Sequence, residues 1–144
     1  MKNCVFCAIA DGSAPARIVY SDDDVVAFLD IRPIRPGHTL VIPREHHADL
    51  GELPAELGAK MFAAAQRIGT AMRRAPIDAD GANLIINDGR AAFQTVFHSH
   101  IHVVPRRHGD RINLAKGMLL RRDSAADTTA ERLRVALGAA VEGR

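Results

Sequence analysis

In the run Val96-Phe97-His98-Ser99-His100-Ile101-His102-Val103-Val104, three histidines stand at alternate positions. Apolar and β-branched residues alternating with period two predict a strand. That places His98, His100 and His102 on one face, with Phe97, Ile101 and Val103 facing the core. Residues two apart on a strand are separated by roughly 6.6 Å, so the backbones of His98 and His102 lie roughly 13 Å apart. A metal–imidazole bond is only about 2 Å, so three such side chains are poorly placed to converge on one ion, and at most two neighbours could share one. A row of imidazoles suits an extended anion such as a phosphate chain, with a nucleophile or base among them.

The chain of 144 residues is long enough for one domain with a real core and too short for two. Aromatic residues make up 4% and Trp is absent, so the core must be mostly aliphatic and alanine. The formal charge of +2 is too small for an electrostatic nucleic-acid surface. The arginine pairs at 73–74, 106–107 and 121–122 are scattered, read as solvated charge, and have no aromatics interleaved for base stacking. The N-terminus has no basic region followed by a long apolar stretch, and no segment approaches the roughly 20 apolar residues of a membrane span. A cytoplasmic protein is expected, with neither nucleic acid nor membrane as partner. In that compartment a disulfide between Cys4 and Cys7 would be unusual.

Repeats and low-complexity tracts are absent. After a short N-terminal element, Ile18-Val19-Tyr20 and Val25 to Asp30 read as strands around the turn Ser21–Asp24. Pro33, Pro36 and Gly37 form a rigid loop leading into the buried strand His38–Ile42, which Pro43 stops. Leu57, Met61, Ala65, Ile68 and Met72 recur at helical intervals and predict a helix over about 54–75 with Pro54 in its first turn. Asp80-Gly81 turns into a strand from Ala82 to Ile86, and the loop from Asn87 to Gln94 leads to the histidines. The charged stretch 106–127 reads as loop. Thr128 and Glu131 have capping-box spacing ahead of Leu133, Leu137 and Val141, which predicts a C-terminal helix. Successive strands with one long helix inserted indicate an α+β domain built on an antiparallel sheet of about five strands.

Several chemical engines are missing: the GxxxxGK[ST] phosphate loop, the GxGxxG fingerprint, the GxSxG elbow and the HExxH helix. Any phosphate must be held by side chains and local amides. Asn87, Gln94 and Thr95, just before the histidines, are neutral donors of the type that holds phosphate or stabilises an oxyanion. Asn87 beside Asp88-Gly89 is equally good turn chemistry. Cys4-x-x-Cys7 supplies half of a tetrahedral zinc site. A thioredoxin-type redox role would need a βαβ context that is absent. Histidines must complete any metal site, and the other reading is two ordinary reduced thiols.

With these residues in place, the chain resembles the histidine-triad nucleotide-binding proteins. The signature stands as His98-Ser99-His100-Ile101-His102-Val103-Val104. Ala27–Ile31, Pro36–Pro43, Asn87-Asp88-Gly89 and Val104-Pro105-Arg106 follow in the family's order and spacing, over about residues 4–110. The resemblance implies a domain at 1–110 and a C-terminal extension at 111–144 of unassigned role. It implies a covalent hydrolase in which His100 attacks the α-phosphorus of a nucleoside phosphate derivative and water then releases the monophosphate. Purine nucleoside phosphoramidates or aminoacyl adenylates are the implied substrates. The alternatives are a dinucleoside polyphosphate hydrolase and a binding protein with negligible turnover.

Carried over residue by residue, His102 contacts the phosphate and His38 supports the network behind the nucleophile. Asn87, Gln94 and Thr95 bind phosphate and leaving group, Asp30 accepts from the ribose hydroxyls, and Phe6, Ile9, Phe28 and Ile31 line the purine slot. For Phe28 and Ile31 the competing reading is core packing. Some bacterial members complete the CxxC zinc site with two histidines, here His46 and His98, with His47 as an adjacent competitor. The family also pairs two units into a homodimer with a continuous sheet. Two departures stand out. Ser99 is polar where an apolar residue is usual, though it should face away from the site and bond a neighbouring strand. Phe93 stands where a small residue is usual and could reshape the leaving-group loop.

Overall fold

The computed structural model describes residues 3–142, with side chains through 138. Five strands form one antiparallel sheet in the order β1-β2-β3-β5-β4. They are β1 (Ile18–Ser21), β2 (Val25–Leu29), β3 (Thr39–Pro43), β4 (Gly81–Ile86) and β5 (Ile101–Arg106). The helices are α1 (Val5–Ala10), α2 (Ala55–Ala71), α3 (Arg111–Leu120) and α4 (Ala126–Glu142).

Strands β2 and β3 are buried on both faces, and that divides the core in two. Val25, Ala27, Leu29 and Val41 point to a main core against Met61, Ala65 and Ile68 of α2 and Ala130, Leu133 and Leu137 of α4. The alternate residues Val26, Phe28, Leu40 and Ile42 form a smaller cluster closed by Phe6 of α1. Period-two alternation thus yields two apolar faces, as it must when helices cover both. The register pairs Phe28 with Leu40 and Leu40 with His102, so His102 lies on the α1 side of the sheet. His38 shares that parity just before β3.

The histidine run departs from the predicted strand. Its ladder begins only at Ile101 and continues to Arg106, so His98 and His100 precede it in irregular backbone. The neighbouring strand β3 ends at Pro43, which has no N–H to offer. Ser99 instead donates its N–H to the His47 carbonyl at 2.7 Å. Ile101 and Val103 are core residues as expected, whereas Phe97 is only half-buried beneath the Arg90 guanidinium. The Ser99 hydroxyl is buried without a partner, so its bond to the neighbouring segment is made by backbone alone.

The C-terminal part also differs. Helix α3 occupies the stretch read as loop, and none of its side chains is buried, so it carries no apolar periodicity to detect. Helix α4 starts at Ala126, ahead of the Thr128 capping box. Asp123 organises that start by accepting from the Ala125 N–H and the Thr129 hydroxyl. Leu133 and Leu137 are buried as the spacing requires, while the Val141 side chain lies outside the described part. Helix α2 is shorter than predicted, with Pro54 at its N-cap. No helix among the described residues is long and apolar enough to cross a membrane.

Candidate functional site

Backbone carbonyls and amides fix the tautomers of three of the chain's seven histidines, His38, His98 and His100, and so divide the cluster into two sets. His98 is fully buried, and its Nε2 lies 2.7 Å from the Pro43 carbonyl. A carbonyl only accepts, so Nε2 carries the proton and Nδ1 presents a lone pair. That Nδ1 lies 3.4 Å from Cys4 Sγ and 3.5 Å from Cys7 Sγ, and Cys7 Sγ lies 3.3 Å from His46 Nδ1. The four ligand atoms all fall within 4.8 Å of one another. For zinc–sulfur bonds of about 2.3 Å and zinc–nitrogen bonds of about 2.0 Å, a tetrahedron has S···N edges of roughly 3.5 Å. The two thiols and two imidazoles therefore fit tetrahedral zinc in donor type and spacing. Burial first, then the Cys4 thiol, pushes the Cys7 thiol pKa up, a shift that a bound dication would oppose. His47 stays out of the group, with its Nε2 3.8 Å from Glu45.

The second set of histidines is wired differently. The His98 carbonyl accepts from His100 Nδ1 at 2.7 Å, which leaves Nε2 of His100 as a free lone pair. Phe6 lies edge-to-face on the His100 ring at 5.2 Å between centroids and fixes its plane. The Ile34 N–H donates to His38 Nδ1 at 3.0 Å, so the His38 proton sits on Nε2. Nε2 of His38 donates to His102 Nδ1 at 2.9 Å, and the proton of His102 is thereby placed on its own Nε2. That N–H is buried and has no partner.

Burial is the first cause that holds His38 and His102 down to a pKa of about 4, and it lowers His100 as well. The row is therefore neutral at physiological pH, with one bare nitrogen on His100 and one bare N–H on His102. Asp30, His38 and His102 also have ligand atoms close enough for a metal. The 2.9 Å contact between the imidazoles is already a hydrogen bond, and that leaves no lone pair on His38 for an ion.

A cavity of about 510 Å³ opens on the α1 side of the sheet. Phe6, Ile9, Phe28, Asp30, Ile31, Thr95, His100 and His102 all line it. Phe28 is 3% exposed and serves core and cavity together, whereas Ile31 is 80% exposed, which rules out core packing there. Asp30 accepts from the Arg32 N–H at 2.9 Å through Oδ1, while Oδ2 lies 3.7 Å from His38 Nε2.

Gln94 and Asn87 are placed differently from the rest. The Gln94 amide is engaged with backbone: Oε1 accepts from Gly89 N–H at 2.8 Å, and Nε2 donates to the carbonyls of Ala48 and Val96. It pins the loop and does not face the cavity. Asn87 is half-buried and absent from the lining. Phe93, 83% exposed and left-handed at φ 68°, points its ring to solvent.

Sequence reasoning missed Met118 and Arg121, which complete the lining from the C-terminal extension. Arg121 belongs to an arginine pair that reads as solvated charge, and nothing in the local pattern separates it from the others. The backbone groups that set the tautomers, at Ile34, Pro43 and His98, have no sequence signal at all.

The family model described as HIT domain matches residues 11–109. An uncharacterized HIT-like protein of Mycobacterium tuberculosis is 54% identical over 134 residues, which is 93% of this chain and 92% of that one. The crystal structure of a zinc-bound histidine triad family protein from Mycobacterium smegmatis superposes with a TM-score of 0.91 at 48% identity, covering 99% of each chain. A protein of Arabidopsis thaliana named adenylylsulfatase HINT3 is 39% identical over 76% of this chain and 55% of its own length.

Proposed function

We infer the function from one premise: this chain belongs to the HIT-domain family. It is read as a nucleotide hydrolase that cleaves at the α-phosphate of purine nucleoside 5′-phosphoramidates or aminoacyl adenylates through a nucleotidyl-His100 intermediate. One observation carries this reading. His100 Nδ1 is tied to the His98 carbonyl, so its other nitrogen is left as an unprotonated nucleophile on a residue that lines the cavity, next to His102, whose Nε2–H has no partner in the protein.

In the first step His100 Nε2 forms a bond to the α-phosphorus. The bond from phosphorus to the leaving group breaks, and the departing group takes a proton from the medium. The imidazolium so formed keeps its Nδ1–H on the His98 carbonyl, a bond that strengthens as charge develops. His102 Nε2–H donates to a non-bridging phosphate oxygen, held in that tautomer by His38 and ultimately by the Ile34 N–H. Such a donor aimed at developing charge is worth about 3–4 kcal/mol in comparable sites. Water then attacks phosphorus, the P–N bond breaks and its electrons return to His100 Nε2, the surplus proton of the water passes to the medium, and AMP or GMP leaves with His100 restored.

Asp30 accepts from the ribose hydroxyls, and Phe6, Ile9, Phe28 and Ile31 hold the base. Thr95 stands toward the leaving group, and Gln94 positions its loop, while Asn87, outside the lining, is left with the turn at Asp88-Gly89. On this reading residues 1–110 carry the chemistry, and 111–144 form an extension against them.

Cys4, Cys7, His46 and His98 are assigned to a structural zinc, in keeping with the zinc-bound mycobacterial relative. Zinc there would supply a cross-link between α1 and the sheet and no step of the reaction. A homodimer is also proposed. Strand β4 is a sheet edge whose Leu84, Ile85 and Ile86 are exposed beside Phe62 of α2. A second copy pairing at that edge would cover an otherwise aggregation-prone strand. Light scattering should give twice the chain mass, and a monomer at micromolar concentration would refute this assignment.

The test of function is AMP release from adenosine 5′-phosphoramidate, with diadenosine polyphosphate and adenylyl sulfate run beside it. The second substrate represents the runner-up chemistry, and the third follows from the name of the Arabidopsis relative. Preference for the second or third would replace the proposed leaving group. No release from any would favour the binding-protein reading.

A further inference from the structure

The cavity contains a polarity problem that the histidines do not solve. A nucleotide brings at least one negative charge, yet the hydrogen bonds to Nδ1 of His38 and Nδ1 of His102 leave each of those rings with a single proton and no charge, and Asp30 adds a carboxylate. Among the described lining residues the cations are Arg32, whose side chain is exposed, and Arg121.

Arg121 is built into its place. Its Nε donates to the Arg32 carbonyl at 2.7 Å, and one terminal nitrogen lies 3.9 Å from Asp30 Oδ2, beyond hydrogen-bond range. Its two terminal nitrogens donate no hydrogen bond among the described residues. It occupies the left-handed cap of α3 at φ 52°, a position where glycine is the low-cost residue. The strained cap is held by the Nε anchor, which fixes the guanidinium at the cavity wall.

The helix behind it is equally constrained. A Cβ at Gly117 would collide with the Ile34 carbonyl, so the α3 backbone lies directly on the loop whose Ile34 N–H orients His38. The Arg121 charge is felt by both His38 and His102.

We propose that Arg121, from outside the HIT domain, is a substrate-binding residue that takes the nucleotide's α-phosphate. The proposal rests on the nucleotide reading of the cavity. When ribose hydroxyls occupy Asp30, the guanidinium keeps its Nε anchor and turns its free edge to a non-bridging phosphate oxygen. Position beside Asp30 puts it on the nucleoside side of the phosphorus, so it recognises the part that every substrate and the product share. Arg121 therefore sets affinity for the phosphate and leaves selection of the leaving group to other residues.

The test compares AMP with adenosine by calorimetry on the full chain, as wild type, Arg121→Gln and Arg121→Lys. No side chain of α3 is buried and Arg121 is itself partly exposed, so neither substitution touches the core. Loss of one charge-assisted pair should weaken AMP about tenfold or more. Adenosine affinity should change less than about twofold, and Lys should recover part of the loss. Equal weakening of both ligands would make Arg121 a strut for α3, and no effect on either would also overturn the proposal. Wild-type protein that binds neither ligand would instead remove the nucleotide reading beneath it.

Discussion

The His98 carbonyl accepts from His100 Nδ1 at 2.7 Å while the His98 ring faces the Cys4 and Cys7 thiols. One residue thus belongs to the four-ligand cluster through its side chain and fixes the tautomer of His100 through its backbone. Phe6 makes the same link from the other side, since it sits between the two cysteines in sequence and packs on the His100 ring.

His100→Asn should abolish turnover and leave AMP binding nearly unchanged. Removal of a nucleophile costs roughly 10⁴-fold or more in rate. Single-turnover assays with adenosine phosphoramidate check the rate, and calorimetry checks the affinity. Turnover within tenfold of wild type would end the covalent scheme.

Protein purified without chelator or added metal should contain about one zinc per chain. Cys7→Ser should lose it and unfold at a temperature lower by more than about 5 °C, given that 1 kcal/mol shifts a chain of this size by about 2–4 °C. Its kcat should fall more than its AMP affinity, because the His98 carbonyl and Phe6 both loosen around His100. Metal traces that wash out would refute the assignment.

Acid should destabilise the fold through His38. Its pKa is about 4 in the folded protein against 6.5 unfolded, so between those values the unfolded chain binds the extra proton. The contribution is fully present above pH 6.5 and is lost as pH falls through 4. It amounts to at most about 3 kcal/mol. Urea unfolding of wild type and His38→Asn across this range gives the difference, in which acid release of metal cancels. A difference that does not change with pH would show that His38 is not held neutral.

Gly117→Ala should push α3 away from Ile34 and carry Arg121 with it. The midpoint of unfolding should move little, because α3 buries no side chain, whereas AMP affinity should drop about as far as in Arg121→Gln. Unchanged AMP binding with a displaced α3, read by hydrogen exchange, would separate the helix from the site.

The sheet, α2 and most of the site were legible because each has a strong local pattern. Val25–Leu29 and Thr39–Ile42 are apolar runs between turn residues, and Met61, Ala65 and Ile68 repeat at helical spacing. Alternation of histidines placed three imidazoles on one side correctly in spirit but extended the strand too far. The ladder fails where Pro43 cannot pair, a fact that belongs to another strand. Helix α3 left no trace because a helix is read from the face it buries, and this one buries none. The Gln94 amide is a donor in any reading of its type, but its partners Ala48 and Val96 are a matter of tertiary structure.

A helix that shares no core side chains with its domain is free to vary. Substitutions along α3 can alter the mouth of the cavity with little penalty in folding, provided that position 117 stays small enough to lie on the Ile34 carbonyl. The histidine row, by contrast, is locked to backbone groups and tolerates little change. Selection, or an engineer, could thus reshape the mouth of the cavity by exchanging one surface appendage, while the histidine row is inherited intact.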